Sequence, residues 1–232
     1  MQSFNEKRIE RSLYQLSAMA ALVETAVAEA TAAFSFFDTA RAFSVIEKDK
    51  AINSFEIDID NSTYTLFNRS AQKIAPELLR KLLAIQKINP MLERIGDHAV
   101  AIAEAVILLV ENRYSGEGFI LPEMAKATAT VLHEAVNGFL ANDHQMTERV
   151  LNRYAALGEM HTSLITSLKT GMLSSPVTIP FATGFALFGI GKNLERIAEV
   201  STNIAEETLL TADSSVMKHQ SGAVIAQGCS PT

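Results

Sequence analysis

The feature that most limits what this chain can fold into is that it repeats itself over a long distance. Residues 92–104 read LERIGDHAVAIAE and residues 194–206 read LERIAEVSTNIAE; across the 15 positions 92–106 and 194–208 there are 7 identities at an offset of 102 residues. Solenoid repeats recur every 20–50 residues or so. A period this long therefore indicates a tandem pair of similar domains. In the first copy Leu92, Ile95, Ala99 and Ile102 fall at the three- and four-residue steps of a helix face, and Glu93, Arg94, Asp97 and His98 crowd beside that face.

The same helical period runs along most of the chain. Ile9, Leu13, Leu16, Ala20, Val23 and Val27 predict one long amphipathic helix. Asp38 is placed to N-cap a second, which continues through Ile52, Phe55, Ile59 and Leu66. Pro76, suited to the first helical position, opens a third that ends before YSGEGF. That break at residues 114–119 divides the chain almost in half. Beyond it the order returns: a helix opening at Pro122, another from about Asp143 to Lys169, a Gly/Ser/Pro turn, and a third from about Pro180 to Leu210. The expected fold is all-α, with six long helices in two tandem three-helix bundles over residues 1–113 and 120–212. Residues 213–232, rich in Ser, Gly and Gln, are expected to form a weakly ordered tail.

Composition excludes several functions. A formal charge of −6 is opposite to the basic excess of a phosphate-backbone binder, so nucleic acid is not an expected partner. The one cysteine, Cys229, cannot form an internal disulfide, and the opening MQSFNEKRIERSL is charged where a signal peptide needs an apolar core. Both point to the cytoplasm. Residues 170–191 carry no charge over 22 positions, but Pro176, Pro180 and four glycines leave too short an apolar run to span a bilayer.

The carboxylates suggest a binding site. Glu93 and Asp97 are four residues apart and share one helix face; Glu56 and Asp60, in SFEIDIDNS, have the same spacing on the second helix. Antiparallel packing of Phe55 and Ile59 on Leu92 and Ile95 would let both pairs flank one seam. Like charges held that close need a cation, supplied by Arg94, a lysine or a metal ion. An all-oxygen donor set favours hard ions such as Mg²⁺, Mn²⁺ or Fe³⁺ over a structural zinc.

KINPMLERIGDHAVAIAE, with VIEKDKAINSFEIDID upstream, AMAALVETAVAEA near the start, LERIAEVSTNIAE near the end and a closing VMKHQ, resembles the PhoU family of phosphate-signalling regulators over roughly residues 8–220. The resemblance implies two three-helix bundles side by side and metal clusters held by paired Glu/Asp-x-x-x-Asp motifs. Their ion is open among iron, Mn, Mg and Zn. It further implies a non-enzymatic adaptor, peripheral to the membrane through its partners and able to pair as a homodimer. The implied partners are a sensor histidine kinase and a phosphate-specific ABC transporter with its ATPase.

Carried over position by position, the family's metal motif falls on Glu56 and Asp60 and on Glu93 and Asp97. In the second repeat Glu195 and Glu199 keep the third-helix pair, while aligning VLNRYAALGEMHTSLITSL on VIEKDKAINSFEIDIDNST sets His161 opposite Glu56 and Ile165 opposite Asp60. The second site is therefore expected to bind metal weakly or not at all. Further departures from the family pattern are Leu78 in place of an Asp before Leu79-Arg80, Ala101 in place of an Asn that Asn203 keeps, and the uncharged PFATGFALFGIG, whose small residues suit close helix packing or an apolar partner. Two other readings stay open: a carboxylate-bridged di-metal enzyme, disfavoured by the absence of any Glu-x-x-His, and a metal-free helical scaffold.

Overall fold

A computed structural model describes residues 2–212 apart from 71–73, 115, 117, 118 and 177. It contains six helices: α1 (Gln2–Phe36), α2 (Thr39–Ser70), α3 (Pro76–Glu111), α4 (Leu121–Ala141), α5 (His144–Leu173) and α6 (Phe181–Ala212). The expected tail at 213–232, with Cys229 and VMKHQ, lies outside the described residues.

The helix ends follow from local chemistry. α1 closes where Phe37 turns left-handed at φ 51° and Asp38 N–H reaches back to the Ala33 carbonyl at 2.9 Å. Asp38 then starts α2, its Oδ1 accepting from Arg41 N–H at 3.0 Å. Asn142 repeats the device at the end of α4, with φ 52° and Asp143 N–H on the Gly138 carbonyl at 2.8 Å. The Asp143 carboxylate caps α5 by accepting from the Gln145 and Met146 amides. Pro76 stands in the first turn of α3, where its missing N–H costs nothing.

Every pair among α1, α2 and α3 is in contact, and so is every pair among α4, α5 and α6, which makes two three-helix bundles. The most extensive interface of all joins them, α3 against α6, with α1 against α4 beside it. Lys87 pairs with the buried Glu207 at 2.8 Å, and His98 Nδ1 meets Asn193 Oδ1 at 2.9 Å. The numbers rise along α3 as they fall along α6, so the two run antiparallel. The stripe Leu92, Ile95, Ala99 and Ile102 is fully buried in the core, as are Leu194, Ile197 and Ile204 of α6.

α1 is long and apolar enough over Phe4–Phe36 to cross a bilayer by length and composition, at mean hydropathy 1.3. Its apolar face is the bundle core: Ile9, Leu16, Met19, Val23 and Val27 are all buried. The uncharged stretch at 170–191 is divided between the end of α5, a turn and the start of α6.

The chain direction puts three turns at one end of the molecule. Phe37 of the α1–α2 turn packs edge-on against Tyr114 of the α3–α4 connection at 5.9 Å. Tyr114, Gly116 and Phe119 then share a groove of about 670 Å³ with Thr170, Thr178 and Ile179 around the α5–α6 turn.

Candidate metal centre

α2 and α3 approach closely at Gly96. A methyl group there would lie 3.1 Å from Ile52 Cδ1 and 3.4 Å from Asp49 Oδ1. This contact puts the acidic face of α2 alongside that of α3. Glu56 and Glu93 are half-buried, Asp60 and Asp97 exposed.

Three carboxyls on this seam are raised by burial and by their acidic neighbours. Burial pushes the Glu93 carboxyl above the ordinary range, the charges of Asp97, Glu56 and Asp49 push it further, and only Arg94 opposes them. Glu56 is raised first by burial, then by Asp60 and Asp97. Asp49 is raised by burial and by Asp97, against a hydrogen bond from Asn53 at 2.9 Å. Among the described residues none of these five carboxylates takes part in an ion pair.

The structure changes the membership of the expected set. Asp60 is turned toward α3 amides, accepting from Asn89 Nδ2 at 2.9 Å and from Gln86 Nε2 at 3.4 Å, so it sits at the margin. Asp49, which the spacing argument overlooked, enters. It precedes Glu56 by seven residues and Asp60 by eleven, close to two and three helical turns. That period was available in the sequence and would have found it.

The donor set matches a metal ion in chemistry and not in the spacing of its side chains. The chemistry fits: Asp49 Oδ1 and Asn53 Oδ1 are buried without a hydrogen-bond partner, next to carboxylates that lack internal cations. These oxygens match a hard ion, which would supply the missing positive charge. The side chains do not yet converge: among the described residues no three His, Cys, Asp or Glu groups stand close enough together to hold an ion. Ion binding here requires rotation of the long, half-exposed glutamates.

The second repeat solves the same electrostatic problem internally. Glu195 accepts from Lys192 at 2.6 Å and faces His161 Nδ1 at 3.2 Å; Glu199 pairs with Arg196. Burial alone would raise Glu195, but the Lys192 hydrogen bond with the charges of His161, Lys192 and Arg196 outweighs it and holds the carboxyl below its ordinary value. At the offset that aligns α5 on α2, Tyr154 replaces Asp49, Gly158 replaces Asn53, His161 replaces Glu56 and Ile165 replaces Asp60. Burial and the charges of Glu199 and Glu195 push the Tyr154 phenol up, against the opposing charge of Arg196. Ile165 points to solvent.

Fold and site together define a duplicated helical protein: two three-helix bundles joined through their third helices, one with an uncompensated acidic seam. A family model of the PhoU domain matches residues 16–106 and again residues 121–208. The chain belongs to the PhoU family. It is 29% identical over 222 residues to a phosphate-specific transport system accessory protein PhoU homolog of a Burkholderia species, covering 94% of this chain and 93% of that one. The Escherichia coli K12 accessory protein PhoU is 28% identical over 192 residues, 83% of this chain and 78% of its own. Crystal structures agree in fold: PhoU from Pseudomonas aeruginosa at TM-score 0.84 and 27% identity, covering 89% of this chain and 98% of that chain. The phosphate transport system regulatory protein PhoU from Streptococcus pneumoniae matches at TM-score 0.82 and 22% identity, covering 92% and 99%.

Proposed function

We propose that this chain is a regulatory accessory protein of a phosphate-specific transport system, a non-enzymatic adaptor in the cytoplasm whose first repeat binds a hard cation. The observation that carries the binding role is the α2–α3 seam, where burial and the nearby charge of Asp97 raise the carboxyls of Asp49, Glu56 and Glu93, with no ion pair to any of the four among the described residues. The regulatory role rests on the accessory and regulatory proteins that match along both repeats.

In this reading Asp49, Glu56, Glu93 and Asp97 hold the ion, with Asp60 at the edge of the set. Its positive charge ties α2 to α3. The second repeat, with Glu195 and Glu199 already paired to cationic side chains, contributes a permanent frame. The protein's targets are a sensor histidine kinase, the ATPase of a phosphate ABC transporter, or both, engaged from the membrane's cytoplasmic side. A homodimer is the expected assembly.

Two experiments test this. Elemental analysis of purified protein is expected to find Mn, Fe or Mg in the wild type and a large loss in the Glu93→Gln/Asp97→Asn variant; undiminished metal in the variant would sink the site. A pull-down from the native organism under high and low phosphate is expected to recover a transporter or two-component protein. Recovery of neither in both conditions would overturn the regulatory role.

A further inference from the structure

The second repeat carries an exposed aromatic cluster at the start of α6. Along the ends of α5 and α6 a groove of about 330 Å³ is lined by Ile165, Met172, Leu173, Phe181, Phe185 and Phe188. Leu173 and Phe181 are each 74% exposed and Phe185 61%, and the rings of Phe181 and Phe185 stack at 6.3 Å. At the offset of 102 that relates α6 to α3, these three phenylalanines correspond to Leu79, Leu83 and Gln86. There Gln86 spans α2 and α3 by donating to Thr63 and Asp60, and that turn carries Glu77, Arg80 and Lys81. The aromatic edge is thus a departure of one repeat from the other, with no counterpart in the shared core.

Its charge is also one-sided. From 160 to 194 the chain has no Asp or Glu at all; its charged groups are Lys169 and Lys192, in a protein of net charge −6. Lys192 is tied to Glu195, and Lys169 stands on the rim of the groove. On the neighbouring α1–α2 turn, Glu29 and Asp38 are both paired with Arg41. Glu111, Arg113 and Glu123 flank the α3–α4 connection, so the α5–α6 hairpin is the part of this end that carries a cation with no acid beside it in sequence.

Several polar groups of the hairpin turn bond to one another. Ser174 Oγ donates to the Gly171 carbonyl at 2.8 Å and accepts from Thr178 N–H at 3.1 Å. Thr178 Oγ1 donates to the same Gly171 carbonyl at 3.2 Å, and Ile179 N–H reaches it at 3.3 Å. Irregular backbone can leave water only when its polar groups are paired within the protein.

We propose that the α5–α6 hairpin is a membrane-docking tip, which inserts Leu173, Phe181 and Phe185 at an anionic lipid surface while Lys169 meets the headgroups. The residues penetrate the interface without spanning it, and this contact is independent of the metal site. It places the molecule on the bilayer directly, with its α2–α3 seam on a different face.

Co-sedimentation with vesicles tests it, using phosphatidylcholine alone and phosphatidylcholine mixed with phosphatidylglycerol. The full chain is expected to bind the mixed vesicles. Phe181→Ser/Phe185→Ser, which removes exposed rings and no core, is expected to lower partitioning about tenfold or more. Lys169→Gln is expected to lower binding to the mixed vesicles alone, by about fivefold. The chain has no Trp, so Phe181→Trp gives a single reporter whose emission is expected to shift to the blue when vesicles are added. Equal binding by wild type and the double Ser variant, or no binding to either vesicle, overturns the proposal. So does an indole emission from the Phe181→Trp variant that shifts with protein concentration and not with vesicles, which assigns the surface to a second copy of the chain.

Discussion

One exchange of charge that separates the two halves is that of Glu56 for His161. In the first repeat a glutamate on α2 adds its charge to Glu93; in the second, a histidine buried to 7% exposure faces Glu195 at 3.2 Å and brings a donor instead. The Glu195 carboxyl, held below its ordinary value, stabilises the fold above the unfolded-state value of 4.5 and loses that contribution as pH falls through its lowered value. Glu195→Gln is accordingly expected to cost about 1–2 kcal/mol near neutral pH, with the difference from wild type narrowing under acid, measured by urea unfolding at several pH values. A deficit that grows on acidification would contradict this account. The linear sequence made the two glutamates and the facing His161 visible, since helical spacing and alignment suffice for that. It did not reveal Lys192 as a partner of Glu195 or Asn89 as a partner of Asp60, because rotamers and cross-helix distances decide those bonds. Asp49 was the avoidable omission: its seven-residue step to Glu56 is as regular as the four-residue steps that were used.

Among the elements, the helices were legible almost throughout because their ends are written in local chemistry: Asp38, Asp143 and Pro76 each act within one turn of where they stand. Pro90 is instructive in the other direction, lying inside α3 without ending it. Packing of Ile88, Leu92 and Ile95 in the core outweighs one lost backbone bond. The uncharged start of α6 was expected to serve close packing or an apolar partner, and its glycines differ in how closely they are packed. Gly191 lets α5 come close, since a methyl group there would collide with Leu164 Cδ2, whereas Gly189 has nothing within 4 Å. Gly191→Ala is expected to destabilise by about 1–3 kcal/mol through overpacking. Gly189→Ala is expected to stabilise by about 0.5–1 kcal/mol by raising helix propensity. Chemical denaturation of the two variants checks both signs; a stabilised Gly191→Ala would mean that α5 and α6 are less closely fitted than their contact indicates.

At the scale of the molecule, the duplication and the antiparallel α3–α6 seam make one frame with unequal halves. The two repeats were readable from the offset of 102, while the pairing of α3 with α6 was not, because two similar bundles can be docked through any of their helices. The inequality has a thermodynamic consequence. Asp49, Glu56 and Glu93 are raised above 3.8 and 4.5, the ordinary values, so without metal the folded state takes up protons that the unfolded state does not. The contribution of these three carboxyls to the stability of the metal-free protein therefore rises as pH falls through those raised values, and the penalty of the charged seam is fully present above them. A cation bound there competes with the same protons, so its stabilising effect should be greatest near neutral pH and should fade on acidification. At a free Mn²⁺ concentration about 100 times Kd the gain is about 2.7 kcal/mol, which for a chain of this size is a rise in Tm of roughly 5–10 °C. Calorimetry with Mn²⁺ against a chelator, at neutral and mildly acid pH, is expected to show that rise for the wild type and for Glu195→Gln/Glu199→Gln. Glu93→Gln/Asp97→Asn should lose it and, free of two mutually repelling charges, should be at least as stable as the metal-free wild type at neutral pH. A Mn²⁺ response that survives in the first-repeat variant and disappears in the second-repeat variant would reverse the assignment of the two halves.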